Sequence, residues 1–186
     1  MNDYISTRDA HQSVSSKQAI LNGMSPDGGL YVLPTLDQIH LDLSLICSKS
    51  YKENAVYILS HLLTDYTKEE LVACVENAYA NSFSKKEITP VKKVDDIYVL
   101  ELFHGPTCAF KDVALTFLPQ LMSCALKTTN QKALILTATS GDTGKAALSG
   151  FCDVENIGIN VFYPYKKVSA IQYLSLIHIS EPTRRS

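Results

Sequence analysis

Residues 104–112 read His-Gly-Pro-Thr-Cys-Ala-Phe-Lys-Asp and contain one side chain with clear chemical potential, the amine of Lys111. Lys111 follows Phe110 and precedes an apolar stretch with helical spacing, so we expect it at a helix N-terminus in apolar surroundings. Burial and the positive end of a helix dipole both favour the neutral amine. A neutral amine can form a Schiff base with an aldehyde or act as a base. From these residues alone, Lys111 could also be a surface lysine at a helix start, with its charge in water.

A second loop, residues 137–144, reads Thr-Ala-Thr-Ser-Gly-Asp-Thr-Gly and combines small side chains with several hydroxyls. Small residues leave the backbone N–H groups of a helix N-terminus open, and such groups hold carboxylate or phosphate. The same residues would also suit a tight strand-to-helix turn with Asp142 or Thr143 as the N-cap. A nucleotide P-loop is excluded, because Thr139 stands where its first glycine belongs and Ala146 where Ser or Thr must follow the lysine. The G-x-G-x-x-G fingerprint of dinucleotide-binding folds does not occur.

The elements around these loops predict an α/β fold with a parallel sheet. The expected elements are a strand over 97–103, an amphipathic helix over 112–126 interrupted at Pro119, a strand over 132–138, the loop 139–144, a helix over 145–151 and a strand over 157–163. Strands that alternate with helices form parallel sheets with right-handed crossovers. Because such sheets bind ligands beyond the carboxyl ends of their strands, both loops are candidate binding segments.

Residues 1–85 are expected to form a mostly helical lead-in that packs against this sheet. The expected elements are a helix capped by Ser16 and ended by Gly23, a turn at 26–29, a strand over 30–33, a helix over 50–65 and a helix from Thr67 to about Ala80. The last helix has the strongest signal, because Thr67 and Glu70 have the spacing of a capping box.

The composition excludes several classes of protein. Of 186 residues 46% are hydrophobic, and 19 acidic against 17 basic side chains give a net charge of −2. Without a Lys/Arg cluster, nucleic-acid binding is not expected. No apolar run approaches the roughly 18 residues of a membrane-spanning helix. The polar N-terminal segment resembles neither a secretory signal nor an arginine-rich leader, so we expect a cytoplasmic protein without membrane contact.

Cysteine and histidine show no metal or disulfide pattern. The cysteines are odd in number and include no C-x-x-C pair, so we expect reduced thiols at Cys47, Cys74, Cys108, Cys124 and Cys152. The histidines have no H-E-x-x-H spacing, and no metal site is expected.

The two loops, taken together and in this order, resemble those of threonine synthases, members of the tryptophan-synthase-β-like group of pyridoxal-phosphate enzymes. The resemblance extends to residues 4–8 (Tyr-Ile-Ser-Thr-Arg), 19–23, 26–31 and 168–172 (Val-Ser-Ala-Ile-Gln), and so covers essentially residues 1–172. Several motifs in the same order are far more specific than either loop alone. The resemblance implies the type II fold of pyridoxal-phosphate enzymes, with a threonine-synthase-like N-terminal domain over 1–90 and the start of a catalytic domain over 91–172.

The resemblance also implies a role for each loop. Lys111 would hold pyridoxal 5'-phosphate as a Schiff base and then move protons. The cofactor-facing residues would be Ser140, Gly141, Asp142, Thr143 and Gly144, and the substrate site would comprise His104, Thr107, Thr139, Ser140 and Thr143. The substrate would be O-phospho-L-homoserine, converted with water to L-threonine and phosphate by a monomer or a homodimer.

Threonine synthases are much longer than this chain. The segments expected after Gln172 would include the glycine-rich loop that binds the cofactor phosphate and the residue that faces the pyridine nitrogen. Residues 173–186 resemble translated adapter sequence and are expected to be non-native. We therefore expect an incomplete N-terminal fragment that holds the cofactor weakly or not at all and has no useful turnover.

Two alternatives remain open from the sequence. A threonine dehydratase-like or phospholyase-like pyridoxal-phosphate lyase would carry similar loops, because these loops serve any substrate with an α-amino carboxylate. A non-catalytic module that binds a small anion or a nucleotide would share the second loop but give Lys111 no role.

Overall fold

The computed structural model describes residues 3–129, 131–139 and 141–164, together with Ser169 and Leu174. The described helices are α1 Ser16–Asn22, α2 Leu43–Cys47, α3 Tyr51–Leu62, α4 Lys68–Tyr79, α5 Asp112–Leu115, α6 Leu118–Lys127 and α7 Asp142–Phe151, with a 3-10 helix at Leu36–Gln38. The described strands are β1 Tyr4–Ser6, β2 Ser13–Val14, β3 Tyr31–Val32, β4 Val91–Val94, β5 Ile97–Leu100, β6 Ala133–Ala138 and β7 Ile157–Phe162. Apart from Ser169 and Leu174, the expected motif at 168–172 and the expected non-native tail at 173–186 lie outside the described residues.

The N-terminal residues form a small antiparallel sheet of which the sequence predicted only β3. The central strand β1 pairs with β2 through Tyr4 and Val14, and with β3 through Ile5 and Val32. All three strands have only two or three residues, too few to show the alternation that identifies a strand in a sequence, and β3 was predicted from the turn that precedes it. The lead-in therefore contains the predicted helices, together with two strands that the prediction missed.

The helices of the lead-in begin at their capping residues. The predicted capping box of α4 is confirmed, since Thr67 accepts the N–H of Glu70 while the Glu70 carboxylate accepts the N–H of Thr67. Ser50 and Glu53 form the same arrangement at the start of α3. Both helices end close to the positions expected from their apolar spacing.

The cap of α1 differs from the prediction by one residue. The side chain of Ser15, rather than Ser16, accepts the N–H of Gln18 and so caps the helix. The hydroxyl of Ser16 points instead to Asp65, in the connection between α3 and α4. Gly23 ends α1 as predicted, with a φ of +70° that glycine adopts without strain.

The main core joins the lead-in to the rest of the chain through α6. Its buried members are Leu63, Tyr66, Leu71, Cys74, Leu121 and Ala125. Leu121 and Ala125 belong to α6, while Leu71 and Cys74 belong to α4. Since burying a side chain of leucine size contributes about 1.5–3 kcal/mol, this contact fixes α6, and with it the first candidate loop, against the N-terminal helices.

The strand–helix–strand unit predicted around the second loop is confirmed. β6 and β7 pair in parallel, from Ala133 opposite Ile157 to Ala138 opposite Phe162, and α7 is the crossover between them. No helix among the described residues has both the length and the apolar character needed to span a bilayer.

The prediction of a further parallel strand over 97–103 is wrong for the described residues. β5 pairs antiparallel with β4, from Val91 opposite Leu100 to Val94 opposite Ile97. Only Asp95 and Asp96 separate the two strands, and a two-residue connection joins antiparallel neighbours.

The helix expected over 112–126 is interrupted, as predicted from Pro119. α5 ends at Leu115 and α6 begins at Leu118, so Pro119 lies in the first turn of the second helix. Proline is tolerated there because the first N–H groups of a helix have no intrahelical acceptor.

Candidate functional site

The first loop is organised around the side chain of Asp112. Its Oδ2 accepts the backbone N–H of Thr107 at 2.8 Å, and its Oδ1 accepts the Thr107 hydroxyl at 2.6 Å. Asp112 is only 1% exposed and Thr107 only 7% exposed. Gly105 packs directly on this carboxylate, where a Cβ would overlap the Asp112 side chain. Gly105, Thr107 and Asp112 therefore give the loop its shape.

One residue of this loop has an unusual backbone conformation. Cys108 has a φ of +59°, in the left-handed region that a residue with a Cβ rarely adopts. Its N–H donates to the carbonyl of Gly105 at 3.2 Å, which closes a tight turn. Such a conformation persists only where its surroundings enforce it. The two hydrogen bonds from Thr107 to the Asp112 carboxylate hold the residue next to Cys108 and so restrain the turn.

Lys111 occupies the position before the first residue of α5. Its carbonyl accepts the N–H groups of Ala114 and Leu115 at 3.1 and 2.8 Å. The side chain is half-buried, and Nζ lies 4.4 Å from the centre of the Phe110 ring. The expected position of Lys111 at a helix start is therefore confirmed, whereas its apolar surroundings are only partial, since the Phe110 ring is 62% exposed.

The Lys111 side chain lines a cavity of about 530 Å³. The other lining residues are mostly apolar: Leu102, Phe110, Val113, Ala114, Leu115 and, from the second loop, Thr143. Ligand-binding sites commonly measure about 300–1,000 Å³ and combine apolar walls with a few polar groups. The fold thus brings Lys111 and Thr143 to one cavity.

The second loop is shorter than predicted, because α7 begins at Asp142 rather than near Lys145. Gly141 is the N-cap, so the expectation of Asp142 or Thr143 at that position is wrong. Thr143 is the second residue of α7 and lies in its first turn, in which the N–H of Gly144 donates to the carbonyl of Gly141 at 3.1 Å. Gly144 is buried inside the same turn.

The other residues predicted for the second loop do not share one environment. Thr139 donates its N–H to the carbonyl of Phe162 at 2.9 Å, which extends the pairing of β6 and β7 by one residue. Its hydroxyl accepts the N–H of Gly141 at 3.3 Å. Asp142 is exposed. Ser140 lies outside the described residues.

The side chain of His104 contacts Glu101 and Ser84. Its Nε2 lies 2.7 Å from the Glu101 carboxylate and its Nδ1 lies 3.3 Å from the Ser84 hydroxyl. The residues that line the Lys111 cavity do not include His104 or Thr107. Glu101 is a partner that our sequence reasoning missed, although its position three residues before His104 was visible.

A buried tyrosine supports α5 from the side of the core. The hydroxyl of Tyr79 donates to the carbonyl of Val113 at 2.7 Å. Burial raises the pKa of Tyr79, so its hydroxyl remains a neutral donor at physiological pH. The segment behind Lys111 is therefore fixed to α4.

Comparison with known proteins decides the family. Residues 3–79 match the family model described as "Threonine synthase N terminus". Threonine synthase from Methylobacillus glycogenes is 34% identical over 188 residues, which cover 96% of this chain and 40% of that protein. Threonine synthase from Schizosaccharomyces pombe is 34% identical over 191 residues, 96% of this chain and 37% of that protein.

A solved structure agrees with these relatives in fold as well as in sequence. The crystal structure of PLP-bound threonine synthase from Brucella melitensis superposes with a TM-score of 0.85 and 33% identity, over 94% of this chain and 38% of that one. Residues 3–79 belong to the threonine synthase N-terminal family, and the chain is similar to threonine synthases along nearly its whole length. It spans about two fifths of the length of the threonine synthases that it matches. The predicted family and α/β fold class are both confirmed.

The residues of this chain fit pyridoxal 5'-phosphate, the group named with the Brucella melitensis structure. The cavity offers one amine, that of Lys111, for the cofactor aldehyde, and apolar walls from Leu102 and Val113 for the face of an aromatic ring. Thr143, at the start of α7, is a polar group on the same cavity. The cavity residues therefore match two parts of the cofactor, its aldehyde and its aromatic ring.

Proposed function

We propose that the whole protein of which this chain is the N-terminal part is a threonine synthase that converts O-phospho-L-homoserine and water to L-threonine and phosphate. The observation that carries the proposal is the shared cavity of Lys111 and Thr143 in a chain of this family. The two residues come from different loops, and the folding of α5 and α7 brings them together.

Lys111 is the proposed catalytic residue. Its amine would bind the aldehyde of pyridoxal 5'-phosphate and later take up and return protons at Cα and Cβ of the substrate. When bound, the cofactor supplies an electron sink for negative charge that develops on the substrate. The Phe110 ring lies 4.4 Å from Nζ, and most of the other residues that line the cavity are apolar.

The start of α7 is the proposed site for the substrate carboxylate. Its N-cap, Gly141, has no side chain that could occupy the N–H groups of the first turn. The N–H of Gly144 donates to the carbonyl of Gly141, and the N–H groups of Asp142 and Thr143 are those proposed to bind the anion. Thr143 would add its hydroxyl from the same turn. Within the proposal, Gly141, Asp142 and Gly144 shape this turn, and Ser140, Thr139 and His104 remain predicted contacts of the cofactor or the substrate.

The exposed surface around this site supports the proposal that further chain completes it. Leu134 and Leu136 on β6 and Phe162 on β7 are 59%, 63% and 61% exposed, so one face of the parallel sheet is uncovered in the described residues. Parallel sheets are normally covered on both faces. We therefore expect residues 1–172 alone to bind the cofactor weakly and the whole protein to bind it tightly.

The experiment compares Lys111→Ala with Lys132→Ala in the whole protein, because Lys132 is an exposed lysine outside the cavity. Lys111→Ala is expected to lose the visible absorbance of the bound cofactor, borohydride trapping at position 111 and threonine formation. Lys132→Ala should keep all three. Retention of threonine formation by Lys111→Ala would overturn the proposal.

Product analysis separates the alternative activities. A dehydratase-like enzyme would form a 2-oxo acid from threonine, and a phospholyase-like enzyme would release phosphate from phosphohomoserine without forming threonine. An anion-binding module would bind its ligand equally well after Lys111→Ala. A cytoplasmic location and a monomeric or homodimeric state remain predictions, which fractionation and light scattering would test.

A further inference from the structure

Thr107 and Asp112 form a closed pair inside the first loop. Both Thr107 donors, the N–H and the hydroxyl, bind the Asp112 carboxylate, at 2.8 and 2.6 Å. The two side chains are almost fully buried, and neither lines the Lys111 cavity. The Thr107 hydroxyl therefore has no donor left for a substrate.

This pair connects the first candidate loop to α7, the helix that follows the second. Asp112 is the residue directly after Lys111 and the first residue of α5. The carbonyl of Thr107 accepts a hydrogen bond from Nζ of Lys145, in α7, at 3.5 Å. A chain of polar contacts thus runs from the start of α5 through Thr107 to the helix that carries Thr143.

We propose that Thr107 and Asp112 are positioning residues that hold the Lys111 amine opposite Thr143. This inference deepens the proposed function and rests on it, and it replaces the predicted role of Thr107 as a substrate contact. The turn between the two residues contains Cys108 at a φ of +59°, which relaxes unless its ends are held. Hydrogen bonds to a buried carboxylate are strong enough to hold them.

The inference predicts a specific defect when the Thr107 hydroxyl is removed. One oxygen of the buried Asp112 carboxylate would lose its donor, and the turn would shift toward a conformation in which water can reach that oxygen. The Lys111 amine would move with the turn, while the start of α7 would keep its N–H groups. Catalysis depends closely on the position of the Lys111 amine relative to the substrate. Binding of the substrate carboxylate depends on the start of α7 instead and should change little.

The test uses Thr107→Val, which keeps the shape and removes the hydroxyl, and Thr107→Ser, which keeps the hydroxyl, both in the whole protein. For Thr107→Val we expect kcat to fall at least about tenfold while KM for phosphohomoserine stays within about threefold. Thr107→Ser should restore kcat to within about threefold. A rise in KM with unchanged kcat would instead identify Thr107 as a substrate contact and overturn the inference.

A second measurement does not depend on the proposed activity. The cofactor-free protein is labelled with limiting acetic anhydride, and peptide mass spectrometry compares Lys111 with the exposed Lys132 in the same sample. Relative labelling of Lys111 should rise at least about threefold in Thr107→Val and return to the wild-type value in Thr107→Ser. Unchanged labelling in Thr107→Val would overturn the positioning role even in an active enzyme, whereas changed labelling in a protein without threonine synthase activity would overturn only the proposed function.

Asp112→Asn provides the same test from the other partner, should Thr107→Val fail to fold. It keeps the volume of the side chain but replaces one of the two acceptor oxygens by an amide donor. The same pattern is expected, with lower kcat, similar KM and faster labelling of Lys111. A variant that folds with wild-type kcat and wild-type labelling would show that the pair does not position the amine.

Discussion

The hydroxyl of Tyr66 donates a hydrogen bond to the carbonyl of Leu121 at 3.0 Å, inside the core. Tyr66 lies just before α4, and Leu121 lies in α6, so the bond joins the N-terminal helices to the segment that follows the Lys111 loop. Burial raises the pKa of Tyr66, which keeps the hydroxyl protonated as a donor. The site thus depends on packing that originates far from it in the sequence.

Tyr66→Phe should lower the free energy of unfolding by about 0.5–1.5 kcal/mol, the net contribution of one hydrogen bond. The ring would stay in place, so little packing is lost. Tyr98→Phe is the control, since Tyr98 is 71% exposed and its substitution should leave stability nearly unchanged. Urea unfolding of both variants measures the difference, and equal stabilities would show that the Tyr66–Leu121 bond contributes nothing.

The sequence predicted those parts of the fold that have local signals. The capping box of Thr67 and Glu70, the break near Pro119 and the strand–helix–strand unit at β6, α7 and β7 were all recognisable from neighbouring residues. The pairing partner of β5 was not, because a continuous β-forming run looks alike in a parallel sheet and in a hairpin. The preceding Val91-Lys-Lys-Val94 run and the Asp95-Asp96 connection were the missed signal.

The sequence identified the candidate residues but not all of their contacts. Lys111 stood out because of its neighbours, and Thr143 because of the small residues around it. The burial of Thr107 against Asp112 depends on the three-dimensional course of the turn at Cys108, which has a backbone conformation that no local rule assigns to cysteine. The predicted start of α7 was also wrong. Gly144 resembles a loop residue in the sequence, but it is buried in the helix.

Asp65 connects the α3–α4 region to the start of α1 through its carboxylate, which accepts the N–H of Lys17 at 2.9 Å and the hydroxyl of Ser16. Burial raises the pKa of Asp65, but the hydrogen bonds from Ser16 and Lys17 outweigh it and hold the pKa below the usual 3.8. Because the pKa is lower in the folded state, this contribution is complete above about pH 5 and is lost as the pH falls through the folded-state value.

Asp65→Ala should therefore lower the free energy of unfolding by about 1–2 kcal/mol at neutral pH, as expected for loss of a helix-capping carboxylate. The difference from the wild type should shrink as the pH is lowered from about 7 to about 3. Asp3→Ala, at an exposed position, serves as the control. Urea unfolding at several pH values gives the comparison, and a difference that stays constant with pH would rule out the carboxylate as its source.

Gly150 lies in α7 where the helix meets the end of α5, and a Cβ at this position would overlap the carbonyl of Leu115. Alanine is the better helix former by about 0.5–1 kcal/mol, so helix propensity alone predicts that Gly150→Ala stabilises the protein. Overlap with a backbone atom costs more, about 1–3 kcal/mol, because neither helix can move without disturbing its neighbours. We therefore expect Gly150→Ala to destabilise the protein in thermal or urea unfolding.

Gly158→Ala is the control, since its Cβ would lie 3.2 Å from the flexible end of the Leu134 side chain and the substitution should change stability little. A stabilised Gly150→Ala variant would mean that α7 can withdraw from α5, which would contradict a rigid connection between the two candidate loops.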